Sequence, residues 1–241
     1  MNNFVCGKNA VLELLAAGRE INRVYLDKTK KGDFHRQVIE ACQQRSIPYS
    51  FVDKQHLDKL ADTENRGVVA AVAGTEYCEI ADILAIAAER GEPPLVVILS
   101  EVEDPHNLGA IMRSALCAGA HGIIIPKRRA VGVTPTVAKV ASGAAEYLPV
   151  ARVANLVQAA EELQAAGLWL IAADLHGDDI FKIDFSGPLA IVMGGEDKGI
   201  APLLLKKCDF KAKIPMKGKL GSYNVSASAA IFLYEALRAR I

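Results

Sequence analysis

Leu95–Ile125 reads LVVILSEVEDPHNLGAIMRSALCAGAHGIII. An uncharged run rich in branched residues, Leu95–Leu99, predicts a buried strand. Apolar residues at 108, 111, 112 and 115 fall on one face of a helix, predicted over Leu108–Ala118, and Gly122–Ile125 predicts a second strand. Strand, helix and strand in so short a span form a crossover unit, which sets its two strands parallel. The alternation continues downstream: a helix over Leu156–Ala165, strands over Leu168–Ala172 and Leu189–Met193, and a closing helix over Asn224–Arg238 with Arg238 and Arg240 near its negative end. A helix over Ala81–Arg90 precedes the block. The predicted fold class is α/β, with a parallel sheet in the C-terminal part.

Toward the N-terminus the pattern is finer. Lys8–Ala17 predicts a helix stopped by Gly18, Arg23–Leu26 a strand, Asp33–Arg45 a helix, Tyr49–Val52 a strand, and Val68–Ala73 another, with Asp53 capping a short helix between the last two. The period is lost at Gly74–Tyr77, and a boundary near Thr75 divides the chain into 1–75 and 76–241.

Composition narrows the function classes. The 241 residues are 51% hydrophobic and 23% charged, as expected of a chain that buries a sizeable core. Its apolar runs fall far short of the roughly 20 residues that span a bilayer, and its N-terminus lacks a signal-peptide pattern, so a cytoplasmic location is expected. Five scattered cysteines form no Cys-x-x-Cys pair, which points to neither a disulfide framework nor a zinc site. His106 and His121 lack partners at ligand spacing, and no metal is expected. Basic and acidic residues balance at 28 each, so any nucleic-acid surface must be local.

Neither a Gly-x-Gly-x-x-Gly turn nor a phosphate loop is present, which weakens dehydrogenase and NTPase readings. Three other segments follow predicted strands, where open α/β sheets bind ligands. Asp104–Ser114 places Asn107 as the expected helix cap, Gly109 in the first turn, and Arg113 about 240° round the helix from Asn107. A cap and a surface ion pair are the plain alternatives for these two side chains. Met193–Gly199 carries Gly194, Gly195 and Gly199, which permit a close backbone approach to a flat ligand or simply a tight connection. Ile214–Ser226 combines an apolar wall of Ile214 and Met216 with Ser222, Asn224 and Ser226 at a helix start, more polar groups than capping alone requires.

In this order the three segments resemble the SpoU (TrmH) family of RNA ribose methyltransferases. Gly7–Val11 and Val140–Val150 extend the likeness toward the branch that acts on a guanosine of 23S ribosomal RNA. The resemblance implies S-adenosyl-L-methionine as cofactor and a C-terminal domain with a deep trefoil knot threaded through 214–226. It also implies a homodimer with active sites at the subunit interface, and a small N-terminal α/β domain, similar to ribosomal proteins, that recruits RNA. By the same resemblance, Asn107, Arg113, Glu196, Ser222 and Asn224 are the catalytic candidates. Gly194, Gly195, Gly199, Ile214, Pro215, Met216, Tyr223, Asn224 and Ser226 are the cofactor-binding candidates. The chain departs from the family pattern at Asp197, where Gly is usual, at Tyr223, where Leu is usual, and at Ser100-Glu101, where Asp-Gly is common.

A guanidinium keeps its proton in proteins, so Arg113 is expected to grip a phosphate and stabilise developing alkoxide, with Asn107, Ser222 and Asn224 orienting the sugar. Glu196 is expected to hold Arg113 or its loop. Six lysines from Lys206 to Lys219 surround the single acid Asp209, and Lys127-Arg128-Arg129 follows another strand. Lys217, Lys219 and this triplet are the expected RNA contacts. Lys28, Lys30, Lys31 and Arg36, offset by Asp27 and Asp33, read as a solvated surface. Transfer RNA as the substrate, or a non-catalytic RNA-binding factor on the same fold, are the alternatives.

Overall fold

The computed structural model describes residues 3–17, 21–30, 32–61, 65–72, 77–195, 198–218 and 221–241. In chain order the first elements are β1 (Asn3–Cys6), α1 (Lys8–Ala16), β2 (Ile21–Asp27), α2 (Asp33–Gln44), β3 (Tyr49–Val52), α3 (Lys54–Leu60) and β4 (Val68–Val72). Next come α4 (Ile80–Arg90), β5 (Leu95–Ser100), α5 (Pro105–Cys117), β6 (Gly122–Pro126), α6 (Pro135–Val140), α7 (Ala144–Tyr147) and β7 (Val150–Val153). The chain ends with α8 (Leu156–Ala165), β8 (Trp169–Asp179), β9 (Leu189–Gly194), α9 (Pro202–Leu205), β10 (Phe210–Lys213) and α10 (Val225–Arg238).

Two compact units result. The first joins Met1–Glu76 to Val133–Tyr147, and the second joins Tyr77–Gly132 to Leu148–Ile241. The expected division into 1–75 and 76–241 therefore differs at 133–147, and Gly18 and Thr75 themselves lie outside the described residues.

The first unit is a four-stranded sheet in the order β1-β4-β2-β3, with β4 antiparallel to both neighbours and β2 parallel to β3. All five residues of β4 are buried because helices cover both faces of this central strand. Val68, Ala70 and Val72 meet Val11, Leu14, Val38 and Cys42 of α1 and α2, while Val69 points the other way onto Leu57 of α3. Ala138 of α6 enters the first of these clusters, and the Tyr147 hydroxyl donates to Glu13 at 2.6 Å, which is how 133–147 joins this unit. Asp53 stands at the start of α3 but does not cap it, because its carboxylate pairs with Lys28 at 2.5 Å.

The second unit is a six-stranded, wholly parallel sheet in the order β10-β8-β9-β5-β6-β7. β5 and β9 form its centre, registered from Leu95 on Leu189 to Ser100 on Gly194, and every residue of β5 is buried. Val96, Ile98, Leu170 and Val192 pack on Ile83 of α4 and Leu163 of α8 on one face. Helix α10 lies against β9 and α5.

The expected helix start at 108 is corrected to Pro105. Asp104 is the cap, accepting from the His106 N–H at 2.8 Å, so Asn107 sits inside the first turn and is buried. β8 outruns its expected end at Ala172 because β10 pairs along it, with a register jump that sets Lys211 on Ala172 and Ala212 on Asp178.

Candidate functional site

Parallel strands end along one edge, and the carboxyl ends of β8, β9 and β10 enclose a cavity of about 300 Å³. Ala173, Asp174 and Leu175 line it from β8, Met193, Gly194 and Gly195 from the end of β9, and Ala212, Lys213 and Ile214 from the end of β10. Met216, Ser222 and Tyr223 close one side, and Val225, Ser228 and Phe232 of α10 supply another. Such a crevice, where the chain order reverses across the sheet, is where open α/β sheets take ligands.

The loop after β9 is drawn tight against the body. Gly195 forms an isolated bridge with Gly199, and the buried Ser100 hydroxyl accepts from the Ala201 N–H at 3.3 Å. A Cβ on Gly194 would meet the Gly199 and Ile200 backbone, and one on Gly195 would meet the carbonyl of Glu101. Neither position has room for a side chain. Glu101 holds φ 58°, the left-handed region, and accepts from Arg129 Nη1 at 3.3 Å.

The first and third segments touch. Asn224 Nδ2 donates to Asn107 Oδ1 at 3.1 Å. Asn224 Oδ1 caps α10, accepting from the Ser226 N–H at 2.9 Å, the Ser226 hydroxyl at 2.6 Å and the Ala227 N–H at 3.4 Å. Capping thus occupies two of the three polar groups expected there to face a ligand, and leaves Ser222 in the cavity wall.

Of the expected cofactor residues, Gly194, Gly195, Gly199, Ile214, Met216 and Tyr223 line the cavity, while Pro215, Asn224 and Ser226 stand beside it without lining it. Arg113 lies on the exposed face of α5 and does not line it either. Glu196, Asp197 and Lys219 fall outside the described residues. In the lysine run, Lys207 pairs with Glu161 at 2.6 Å and Lys213 with Asp179 at 3.6 Å, so part of the expected basic rim is neutralised locally. Asp174, Ser228 and Phe232 were not singled out in the sequence. The rule that ligands sit after strands reaches Asp174 once β8 is followed past Ala172, whereas Ser228 and Phe232 arrive only by the packing of α10 on β9.

Burial pushes the Cys208 thiol, which donates to the Leu204 carbonyl, up to about 12. Among the described residues no group of His, Cys, Asp and Glu gathers to hold a metal ion, and no helix is long and apolar enough to cross a membrane.

Residues 94–234 match the SpoU rRNA Methylase family, and residues 4–78 match the family described as RNA 2'-O ribose methyltransferase substrate binding. The chain is 45% identical, over 99% of its length and 96% of the relative's, to a putative TrmH family tRNA/rRNA methyltransferase, YacO, of Bacillus subtilis. Its fold is similar to the SpoU methyltransferase AviRb of Streptomyces viridochromogenes in complex with AdoMet, with TM-score 0.82 and 26% identity over 98% of this chain and 89% of that one. An AdoMet-bound rRNA methyltransferase of Sinorhizobium meliloti is equally similar, with TM-score 0.82 and 26% identity over 98% and 87%. The matched segment 94–234 spans the cavity and both asparagines, and the chain belongs to the SpoU rRNA methylase family.

Proposed function

We propose that the chain methylates a ribose 2′-hydroxyl of ribosomal RNA, at a guanosine of the 23S molecule, as a cytoplasmic homodimer. The coarser statement follows from family membership: it is an S-adenosylmethionine-dependent RNA methyltransferase. The observation that carries the reading is the Asn224–Asn107 hydrogen bond, which ties the start of α5 to the rim of the cavity.

The cavity suits the cofactor. Met193, Ile214 and Phe232 offer an apolar wall to a flat base, Asp174, Ser222 and Ser228 offer polar groups to a sugar and amino-acid tail, and Gly194 and Gly195 line the cavity with backbone held in place by the tight loop after β9. Its volume falls at the lower end of the roughly 300–1,000 Å³ usual for small-molecule sites. When bound, S-adenosylmethionine supplies a methyl group on a positively charged sulfur. The chain's part is alignment and charge stabilisation. Asn107 and Asn224 fix one another at the rim, and Ser222 in the cavity wall holds the target sugar. Arg113 grips the neighbouring phosphate and stabilises the developing alkoxide while phosphate or water takes the proton, because a guanidinium retains its own. Since Arg113 does not line the cavity of its own chain, a second protomer is the fitting neighbour for it. Glu196 steadies the loop after β9, segment 214–226 is threaded as a deep trefoil knot, and 1–75 recruits RNA. Lys127, Arg128, Arg129, Lys217 and Lys219 form the phosphate-binding rim.

The chain-long likeness to an rRNA methyltransferase favours ribosomal RNA. The double name of the Bacillus subtilis relative keeps transfer RNA as the second reading. The test is transfer of labelled methyl from S-adenosylmethionine to ribosomal and transfer RNA isolated from cells lacking the protein, followed by mapping of the modified atom. Arg113→Ala is expected to lower kcat about 10²–10³-fold with cofactor affinity kept, and Arg113→Lys to lose most of that activity because its bidentate grip is gone. Methyl groups found on bases, or only on transfer RNA, would overturn the first reading.

A further inference from the structure

We propose that the first unit carries a nucleotide pocket, formed by the end of β2, the start of α2 and β3, that takes one unstacked nucleotide of the RNA substrate. The proposal rests on the reading of the chain as an RNA methyltransferase and adds a residue-level site to it. An open concavity of about 480 Å³ is lined there by Lys28, Lys30, His35, Arg36, Gln43 and Phe51, with Gly32, Ile39 and Glu40 completing the wall.

Two features mark it as built to receive something. His35 is only 7% exposed, yet among the described residues its Nε2 has no hydrogen-bond partner. Buried polar atoms are nearly always paired, and this one, closed to solvent where it stands, meets a ligand atom only when the ring turns toward the concavity it lines. Burial, opposed by Asp27, holds this imidazole below the ordinary histidine range, so near neutral pH it adds no positive charge to the pocket. Phe51 is 54% exposed at the same concavity and stands edge-on to Tyr49, with ring centroids 6.0 Å apart. An exposed aromatic face beside cations is how proteins hold splayed-out RNA bases.

The charge pattern argues for one nucleotide rather than a tracked duplex. Lys28 is paired with Asp53 at 2.5 Å and Arg36 with Asp33 at 3.9 Å, and Glu40 lies in the wall. Both pairs are well exposed and cheap to exchange for a phosphate. With Asp33, Asp53 and Glu40 beside these cations, the charge around the concavity suits one phosphate better than a tracked backbone. Stacking on Phe51, with Glu40 and Gln43 at the base edge and Lys30 at the phosphate, then supplies the recognition. The same residues read in sequence as a solvated surface, because spacing does not show that Phe51 and His35 meet them at one concavity.

The test uses the full chain and two probes, a single-stranded RNA of about eight nucleotides of mixed sequence and the same sequence as a duplex. Phe51→Leu is expected to weaken single-strand binding roughly 5- to 100-fold, and Phe51→Trp to keep it, since Trp retains a stacking face and Leu retains only bulk. S-adenosylmethionine binding should stay unchanged in both, which controls for folding. With methyl-accepting ribosomal RNA, Phe51→Leu should raise KM and leave kcat alone. Equal single-strand affinity of Phe51→Leu and the parent chain, or a preference for the duplex, would overturn the pocket. A parent chain that binds the single strand but methylates no RNA would instead sink the reading on which the pocket rests, and the Phe51 comparison separates the two failures.

Discussion

The Cβ that Gly195 lacks would point at the carbonyl oxygen of Glu101, with the Ser100 carbonyl oxygen 3.2 Å from the same position. Both obstacles are backbone at the end of the buried central strand β5, so neither yields by rotating a side chain. Gly195→Ala must therefore push the loop after β9 outward and open the cavity wall. About 1–3 kcal/mol of stability should be lost, together with at least a tenfold loss of S-adenosylmethionine affinity by calorimetric titration; unchanged affinity would show that this loop is not part of the cofactor wall. Asp174 makes the complementary case. Its Oδ1 accepts from the His176 N–H at 2.7 Å, which orients the carboxylate at the cavity. A charged hydrogen bond to a cofactor hydroxyl or ammonium contributes about 1.5–3 kcal/mol, so Asp174→Ala should raise KM for S-adenosylmethionine by roughly 10- to 100-fold with kcat little changed. Equal KM values would remove Asp174 from the site. Gly194 and Gly195 were legible as a glycine pair, whereas Asp174 was not, because its role depends on where β8 ends.

Among the elements, the strand β5 and the entry to β6 are locked by one histidine. His121 is 1% exposed, its Nδ1 accepts from the Leu95 N–H at 3.0 Å, and its Nε2 meets Glu92 at 3.0 Å. Accepting at Nδ1 requires the neutral tautomer with its proton on Nε2. Burial lowers the pKa of His121 below 6.5, against a smaller opposing effect of Glu92, and burial also lowers that of His35. The unfolded chain thus takes up these protons first as pH falls. The stabilisation is full above pH 6.5 and is lost progressively below it, toward the lower folded values. Thermal unfolding midpoints should drop between pH 7 and 5, and His121→Ala, which orphans the Leu95 N–H at a cost of about 1–3 kcal/mol, should flatten that drop. A variant with the parent's full pH dependence would assign the effect elsewhere. Elements carried by local pattern, such as β5, β9 and α10, were readable in advance. β10 was not: Phe210-Lys211-Ala212-Lys213 is a strand only because β8 runs alongside it, and its lysines read as a phosphate rim. The cap of α5 was misplaced for a similar reason, since Asp104-Pro105 starts the helix and frees Asn107 to meet Asn224.

Over the whole molecule, the excursion of 133–147 into the first unit was not legible, because nothing local marks Ala138 and Tyr147 as partners of residues in the N-terminal stretch. The second unit is also closed by a long-range clamp that helix-end electrostatics did not suggest. Arg238 pairs within α10, with Glu235 at 2.7 Å, while Arg240 reaches back to four carbonyls. It donates to Gly187 at 2.7 Å, to Pro93 and Pro94 at 3.1 Å each, and to Phe185 at 3.4 Å. Those carbonyls precede β5 and β9, so the C-terminus pins the amino ends of the two central strands, at the sheet edge opposite the cavity. Only a planar, multiply donating guanidinium serves four acceptors at once. Arg240→Ala should destabilise the protein by about 2–3 kcal/mol, a fall of roughly 5–10 °C in Tm for a chain of this size, and Arg240→Lys should recover little of it. Because the clamp and the cavity lie at opposite ends of the strands, S-adenosylmethionine affinity at 25 °C should match the parent's in both variants. Urea unfolding beside calorimetric titration separates the two quantities, and an unfolding midpoint equal to the parent's in Arg240→Ala would show that the four carbonyls are satisfied as well by water.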